Sequence, residues 1–272
     1  MLDLADRRLG AGVVAASDES FGAKEHLLLP GPVAFVPGTY DVRGEAVPDP
    51  RLLDGLTPDL ASAELGAEVV ACSDGFYSPP GSLLLPDRPR HMGEGWETRR
   101  LRGPGGDVVV VRLAAAGELR RVEVDTTCFV HNASASCVLS VLGDPGAHDP
   151  GADDPRWAEV LTLRLQPDTR HLVPLRTGPV THVRLRLHPD GGLARLRVLA
   201  ALPVDERARL GLRWWDALPA EQAADVLRDV EPGLAERLVT GRPLSSAARL
   251  AEVLRDAVQA DAVRDLLLGP AG

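Results

Sequence analysis

The chain has 272 residues, of which 44% are hydrophobic and 25% charged, so it is long and apolar enough to bury a substantial core. Its formal net charge is -9 at pH 7. This charge argues against a nucleic-acid or anionic-membrane partner, because binding to phosphates depends on clustered Lys and Arg.

The chain contains no apolar run at its start. Residues 1–6 predict neither a signal peptide nor a membrane span, so a cytoplasmic protein is expected.

The first segment is repeated further along the chain, and the repeat holds one register without a gap, which chance rarely produces. Its matching segments are Asp3-Leu4-Ala5 with Asp59-Leu60-Ala61, Leu9-Gly10-Ala11 with Leu65-Gly66-Ala67, Val13-Val14-Ala15 with Val69-Val70-Ala71, Ser17-Asp18 with Ser73-Asp74, and Leu27-Leu28-Leu29-Pro30 with Leu83-Leu84-Leu85-Pro86.

The two copies lead into different kinds of sequence. After the first copy the chain soon reaches Pro48-Asp49-Pro50, which is typical of a linker. After the second copy comes a long series of strand-like segments. We therefore predict a truncated first repeat over residues 1–44, a linker over 45–58 and a complete repeat over 59–201.

Residues 107–201 predict β-structure. Polar and apolar residues alternate in 183–187 and 193–198, as in half-buried antiparallel strands. Predicted strands cover 108–113, 119–124, 137–142, 157–165, 180–187 and 193–199. Short strands separated by Gly, Pro and Asp turns favour a mainly β fold, an antiparallel β-sandwich of the jelly-roll type.

A small α-helical tail is expected over residues 202–272, where Ala, Leu, Arg, Asp and Glu dominate. One helical stripe is formed by Leu250, Val253, Leu254, Ala257 and Val258. Ser245 is the expected N-cap of that helix, and Pro219 is placed to open an earlier one.

The cysteines Cys72, Cys128 and Cys137 are odd in number and lack C-x-x-C spacing. This pattern argues against a disulfide framework or a structural zinc site. Buried free thiols that pack as small hydrophobic side chains are expected instead.

One Gly-Trp-Glu-Thr-Arg-Arg hexapeptide holds the densest set of potentially reactive side chains. Because a strand places alternate side chains on opposite faces, Glu97 and Arg99 should share one face. Trp96, Thr98 and Arg100 should lie on the other. By spacing alone, a structural Glu/Arg pair beside a half-buried Trp is the more frequent explanation.

The hexapeptide is one of four motifs that occur in a fixed order. These are Leu65-Gly66 to Ser73-Asp74 with Phe76-Tyr77, the hexapeptide at 95–100, Glu123-Val124-Asp125-Thr126 with Asn132, and His188-Pro189-Asp190-Gly191-Gly192 with Arg195-Leu196-Arg197. Together they resemble the allantoicase family, in which a run close to Asp-Gly-Trp-Glu-Thr-Arg-Arg occurs once in each of two homologous halves. The resemblance covers residues 59–201 fully and 3–44 partially, and it implies a jelly-roll or discoidin-like sandwich.

The sequence departs from the family pattern in two ways. Gly93-Glu94 stands where an Asp-rich pair is usual, and His131 stands where the family has a Gly before the Asn. The first repeat also lacks its own Trp-Glu-Thr, Val-Asp-Thr and His-Pro-Asp motifs. If the site lies between halves, a self-contained monomeric site is not expected.

The resemblance implies hydrolysis of allantoate to ureidoglycolate and urea in purine breakdown. Departure of urea from a carbon that bears a carboxylate requires acid-base groups and a cationic anchor. Arg99 or Arg100 is assigned to the anchor, and Glu97 to proton transfer or to acceptance of ureido N–H groups. Asp125 is assigned to the catalytic set and Asn132 to substrate contact.

Three further residues are candidates with a structural alternative. His188 is assigned to catalysis and Asp190 to substrate binding, although both precede a Gly-Gly turn that such side chains often stabilise. Asp74 is assigned to substrate binding, with a loop cap as the alternative. No metal or cofactor is expected, since His91, Glu94, His188 and Asp190 form no recognised ligand set; a divalent metal is the alternative.

The tail carries a second resemblance. Trp214-Trp215-Asp216-Ala217-Leu218-Pro219, Ala235-Glu236-Arg237-Leu238 and Arg242-Pro243-Leu244 resemble the start of ureidoimidazoline (OHCU) decarboxylases of urate breakdown. No histidine follows His188, so a truncated, non-catalytic appendage is expected.

The resemblance to the allantoicase family, whose members form homo-oligomers, implies a homo-oligomer here. The competing interpretation is a catalytically impaired β-sandwich that acts as a ligand-binding or assembly module.

Overall fold

The computed structural model describes residues 15–16, 40–41, 56–100, 105–143 and 149–269. Strands β1 (Ala15–Ala16) and β2 (Tyr40–Asp41) pair antiparallel. The rest of the predicted first repeat and nearly all of the linker lie outside the described residues.

The complete repeat is built from antiparallel strands and the tail from short helices. Strands β3 to β11 span, in chain order, Glu68–Cys72, Trp96–Glu97, Val108–Asp125, Ser136–Leu142, Ala158–Arg164, Arg170–Pro174, Pro179–His188, Gly192–Leu193 and Arg195–Ala201. Helices α1 to α5 span Val204–Ala217, Ala220–Val226, Pro232–Thr240, Ala247–Val253 and Ala260–Leu268. Short 3-10 turns occupy Ala63–Leu65, Pro80–Leu84 and Met92–Glu94.

Strand β5 is shared by both layers of the sandwich. Its first half lies between β3 and β9, and its second half lies between β11 and β8. The pairing with β9 shifts register between Arg112 and Gly117, where the strand leaves one layer for the other. Gly117 permits close packing there, because a Cβ would lie 2.3 Å from Leu60 Cδ1 and 2.9 Å from Ala200 Cβ. The two strands predicted at 108–113 and 119–124 are therefore one strand.

The remaining predicted strands are close to the observed ones. The 137–142, 157–165 and 180–187 predictions match β6, β7 and β9 within two residues, and 193–199 matches β10 and β11. Strands β3 and β8 were not predicted. In β8 the burial alternates between exposed and half-buried residues, so this strand lacks the apolar signal of a core strand.

The hydrophobic core lies between the layers. It is formed by alternate residues of the strands, such as Val109 and Val111 of β5 and Leu185 and Leu187 of β9, each fully buried. At one end of this core, β4 pairs with β10 in a short ladder that sets Glu97 opposite Gly192. This ladder places the hexapeptide next to the His-Pro-Asp-Gly-Gly segment.

A buried arginine holds the loop that precedes the hexapeptide. Arg195 is 1% exposed, and its Nε donates to the Asp87 carbonyl at 2.9 Å. Its Nη1 donates to the Glu94 carbonyl at 2.7 Å, and its Nη2 reaches Asp87 Oδ1 at 2.9 Å. The loop from Asp87 to Glu94 is thereby fixed to β11 with only one short 3-10 turn of its own.

The helices of the tail surround a second hydrophobic core centred on Trp215. Helix α4 is capped by Ser246, whose side chain accepts from Arg249 N–H, and not by Ser245. The predicted stripe is wrong at its end, because α4 stops at Val253 and Val258 is fully exposed. No helix of the described residues is long and apolar enough to cross a membrane.

Pro219 and the cysteines differ in part from their predictions. Pro219 precedes α2 as its N-cap residue, one position before the helix. The cysteines are free, as expected, but only Cys137 is buried. Cys72 is exposed, and Cys128 is partly exposed in a loop, so the prediction of buried thiols is wrong for these two.

Candidate functional site

The hexapeptide alternates between the core and the surface, as a strand does. Trp96 and Thr98 are 0% and 5% exposed, whereas Glu97 is half-buried and Arg99 is exposed. The predicted alternation is therefore confirmed from Trp96 to Arg99. The strand ends at Glu97, and Arg100 is exposed instead of sharing the buried face.

The glutamate of the hexapeptide is held by two neighbours. Its carboxylate Oε1 accepts a hydrogen bond of 2.8 Å from Asn132 Nδ2. Its backbone N–H donates to Ser78 Oγ at 2.7 Å. Asn132 is itself tied to the end ladder, since its carbonyl accepts from Gly192 N–H at 2.7 Å. The amide and the carboxylate therefore approach from adjacent segments that are hydrogen-bonded to each other.

A second acidic residue fixes the arginine of the hexapeptide. Asp74 Oδ2 accepts from the Arg99 backbone N–H at 2.6 Å, and Arg99 Nε lies 3.3 Å from Asp74 Oδ1. Asp74 Oδ1 also accepts from Phe76 N–H at 3.1 Å. Burial would raise the pKa of the Asp74 carboxyl, but these hydrogen bonds and the Arg99 charge together lower it. Asp74 is thus an ionised partner of Arg99.

The environment of Arg99 is partly aromatic. Its guanidinium carbon lies 5.0 Å from the centre of the Phe76 ring, which packs edge-on against Tyr77. Phe76 and Tyr77 are 66% and 62% exposed. The guanidinium is therefore held along one edge by Asp74 and across one face by an aromatic ring, while 62% of the side chain is open to solvent.

Threonine and glycine join the hexapeptide to the His-Pro-Asp-Gly-Gly segment. Thr98 Oγ1 donates to the Gly191 carbonyl at 3.0 Å and accepts from Gly191 N–H at 3.1 Å. Gly191 has φ of 140°, and a Cβ there would lie 2.6 Å from the Asn132 carbonyl oxygen. Only glycine fits this turn.

Three predicted site residues have structural contacts of their own. Asp125 is 3% exposed and its Oδ1 accepts from Thr127 N–H at 2.8 Å. The carbonyls of His188 and Asp190 accept from Ala135 N–H and Ser134 Oγ respectively. Within the described part of the chain, no hydrogen bond or ion pair joins the side chain of Asp125 or His188 to the hexapeptide.

The structure thus forms two pairs linked through the hexapeptide, Glu97 with Asn132 and Arg99 with Asp74. Arg100 is exposed beside them. Sequence reasoning did not predict Ser78 as a partner of Glu97. A serine before Pro79-Pro80 looks like an ordinary turn residue, so no sequence signal distinguished it.

Two of the candidate metal ligands contact each other, and one of these is also bound by an arginine. His91 Nε2 lies 3.6 Å from Glu94 Oε1, and Glu94 accepts hydrogen bonds from Arg90 that lower the pKa of its carboxyl to about 2. Among the described residues, no group of three or more His, Cys, Asp or Glu side chains is arranged to hold a metal ion.

Comparison with known proteins identifies the family. A family model described as the allantoicase repeat matches residues 58–202, which is more than half of the chain. The chain belongs to the allantoicase family. The family predicted from four ordered motifs is thereby confirmed, and the repeat contains every residue of the two linked pairs.

Individual allantoicases match the same region. A probable allantoicase of Nocardia farcinica is 46% identical over 165 residues, which are 59% of this chain and 47% of that protein. The allantoicase of Dictyostelium discoideum is 38% identical over 167 residues, which are 59% and 45% of the two chains. The chain therefore spans about half the length of the curated allantoicases it matches.

A solved structure also matches. The crystal structure of allantoicase from Saccharomyces cerevisiae is 30% identical, with a TM-score of 0.47 over 53% of this chain and 43% of that one. The allantoicase repeat ends at residue 202 in the family match, so the resemblance of the tail to ureidoimidazoline decarboxylases stays a prediction.

Proposed function

We propose that this chain is an allantoicase, which hydrolyses allantoate to ureidoglycolate and urea. The observation that carries the proposal is the pairing at the hexapeptide. Glu97 is held by Asn132 and Arg99 is held by Asp74, so the hexapeptide presents a carboxylate and a guanidinium two residues apart, each with its own partner.

Arg99 is assigned to the substrate carboxylate. Asp74 engages its backbone N–H and Nε, and the remainder of the guanidinium is exposed to solvent. A planar fork that is held along one edge is preorganised for a carboxylate at the other, because less side-chain freedom is lost on binding. Arg100 is also exposed and is the second candidate for this contact.

Glu97 is assigned to the leaving group. Hydrolysis breaks one C–N bond of allantoate, and water supplies a hydroxyl to the carbon and a proton to the departing urea nitrogen. A half-buried carboxylate beside an amide is suited to accept ureido N–H groups or to move that proton. Asn132 keeps the carboxylate oriented and offers a polar contact of its own. Asp125 and His188 are kept as catalytic candidates, and Asp190 as a substrate contact.

A binding or assembly module is the second candidate function. The observation that favours it lies within the sequence, since the first repeat lacks its own copies of the Trp-Glu-Thr, Val-Asp-Thr and His-Pro-Asp motifs. A repeat on its own would keep the sandwich and the paired side chains while lacking groups that a second repeat supplies. A cytoplasmic location, a homo-oligomer and the absence of a metal requirement stay predictions.

The test is urea release by the purified full chain incubated with allantoate, with and without added divalent metals. We expect release by the wild type, loss in Glu97→Gln, and retention in Glu118→Gln, a matched change on β5 at a glutamate paired with Arg120. Binding of allantoate, detected by ligand NMR, without urea release under any condition would instead support the binding module.

A further inference from the structure

The ring of Phe129 is enclosed by the backbone of the end ladder. Phe129 is 0% exposed. A Cβ on Gly95 would lie 2.8 Å from its Cε2, and a Cβ on Gly192 would lie 1.8 Å from its Cε1. The ring therefore packs directly against two glycines, and it does so because neither carries a side chain.

These glycines flank the pairing that carries the glutamate. Gly95 immediately precedes Trp96, and Gly192 pairs with Glu97 in the ladder of β4 and β10. Leu193 pairs with Trp96 in the same ladder. The ring thus packs against the two backbone segments whose separation sets the position of Glu97.

The loop that carries the ring is anchored at its start. Phe129 N–H donates to the Thr126 carbonyl at 2.9 Å, and Thr126 Oγ1 donates to the Gln166 carbonyl at 2.6 Å. Cys128, which has φ of 71°, donates its N–H to Asp168 Oδ1 at 2.8 Å. The ring is therefore attached to a fixed support and not to a free loop.

The same loop returns to the ladder three residues later. Asn132 accepts from Gly192 through its carbonyl and donates to Glu97 through its side chain. Its other side-chain contact is Met92 Sδ at 3.9 Å, and Met92 is 45% exposed. A weak contact with an exposed side chain does not fix the amide, so the pair is supported by the buried ring, the ladder and the Ser78 hydrogen bond to the Glu97 N–H.

We propose that Phe129 is a positioning residue for the pair formed by Glu97 and Asn132. The ring holds Gly95 and Gly192 at the spacing that aligns the Asn132 amide with the Glu97 carboxylate. The consequence for turnover rests on the proposed function, whereas the consequence for the pair itself does not.

The kinetic test compares Phe129→Ala with Leu139→Ala. Leu139 is equally buried in β6, away from the ladder, so it matches the loss of core packing. Below the melting temperature of both variants, we expect kcat for allantoate to fall at least tenfold in Phe129→Ala and less than twofold in Leu139→Ala, with KM changed by less than threefold in both. Equal kcat in the two variants would overturn the proposal.

The contact between ring and glycine is tested by a double-mutant cycle. Gly192→Ala places a methyl group where the ring lies, and Phe129→Ala removes the ring. We expect the double variant to be no slower than Gly192→Ala alone, since the new methyl group then occupies vacated space. Losses that multiply would show that the two positions act separately.

A spectroscopic readout separates this proposal from the proposed function. The side-chain amide signal of Asn132 is assigned by its absence in Asn132→Asp, and its coupling to the carboxylate is measured as the change in its chemical shift on Glu97→Gln. In Phe129→Ala we expect this coupling to disappear, whether or not the wild type releases urea. An Asn132 signal that changes equally on Glu97→Gln with and without the Phe129 ring would refute the positioning role, whereas absent urea release alone refutes only the enzyme.

Discussion

Thr98 and Gly191 exchange two hydrogen bonds through one hydroxyl group, which accepts from the glycine N–H and donates to its carbonyl. The Thr98 N–H also donates to the same carbonyl at 3.1 Å. A single buried side chain therefore closes the turn between β9 and β10 onto the hexapeptide. The threonine of the motif has a structural purpose distinct from that of the charged residues beside it.

Replacing the Thr98 hydroxyl with a methyl group should destabilise the turn while keeping the volume of the side chain. Thr98→Val keeps the volume but leaves Gly191 N–H without its partner, so we expect a loss of about 1 to 3 kcal/mol in the free energy of unfolding. Urea denaturation measures it. Thr162→Val, on the exposed side of β7, is the control and should change stability by less than about 0.5 kcal/mol. Equal effects would show that the hydroxyl contributes nothing.

Removing the charge of Asp74 should weaken substrate binding. In Asp74→Asn an amide N–H replaces an acceptor that faces Arg99, so the guanidinium loses its fixed orientation. We expect KM for allantoate to rise roughly tenfold, which corresponds to about 1.4 kcal/mol, with a smaller change in kcat. Steady-state kinetics test this. Asp153→Asn, at an exposed carboxylate near Arg186, should leave both constants unchanged; a matching rise there would point to a general charge effect.

Arg195 should be essential to the loop before the hexapeptide. Arg195→Met removes the donors to the Asp87 and Glu94 carbonyls from a buried position. We expect a loss of about 3 kcal/mol in unfolding free energy, since buried polar groups lose their partners. Limited proteolysis should cleave the variant between Asp87 and Glu94 faster than the wild type. Unchanged cleavage would mean that the loop is held by other contacts.

His182 should make stability depend on pH. Its pKa is lowered, chiefly by burial, although the hydrogen bond to Asp149 opposes this. Because the folded pKa lies below the unfolded value of 6.5, its contribution to stability is complete above that value and is lost as the pH falls toward the folded pKa. We expect His182→Gln to flatten the decrease of Tm between about pH 7.5 and about pH 5.5. A wild-type slope in His182→Gln would exclude this histidine.

The alternation of the hexapeptide and the main strands could be predicted from sequence, because both depend on local periodicity. The continuity of β5 could not, since its middle, Ala114-Ala115-Ala116-Gly117, looks like a break until Leu60 and Ala200 pack against it. Strand β8 was not predicted, because an edge strand contains few of the buried apolar residues that indicate a strand.

The site residues could also be predicted only in part from the sequence. Motif order selected eight candidates, and of these the structure brings Asp74, Glu97, Arg99 and Asn132 into two pairs. It could not predict which residues support them, because Ser78, Phe129 and the ladder glycines act through contacts between distant segments. Spacing along one strand carries no information about such contacts.

The passage of β5 through both layers limits how this sequence can change in length. Side chains along a strand alternate between faces, so one residue added between Arg112 and Gly117 would turn every later side chain of β5 to the opposite face. Val122 and Val124 would leave the core, and their charged neighbours would enter it. An insertion or deletion of one residue at this bend is therefore expected to destabilise the repeat unless the existing register shift absorbs it.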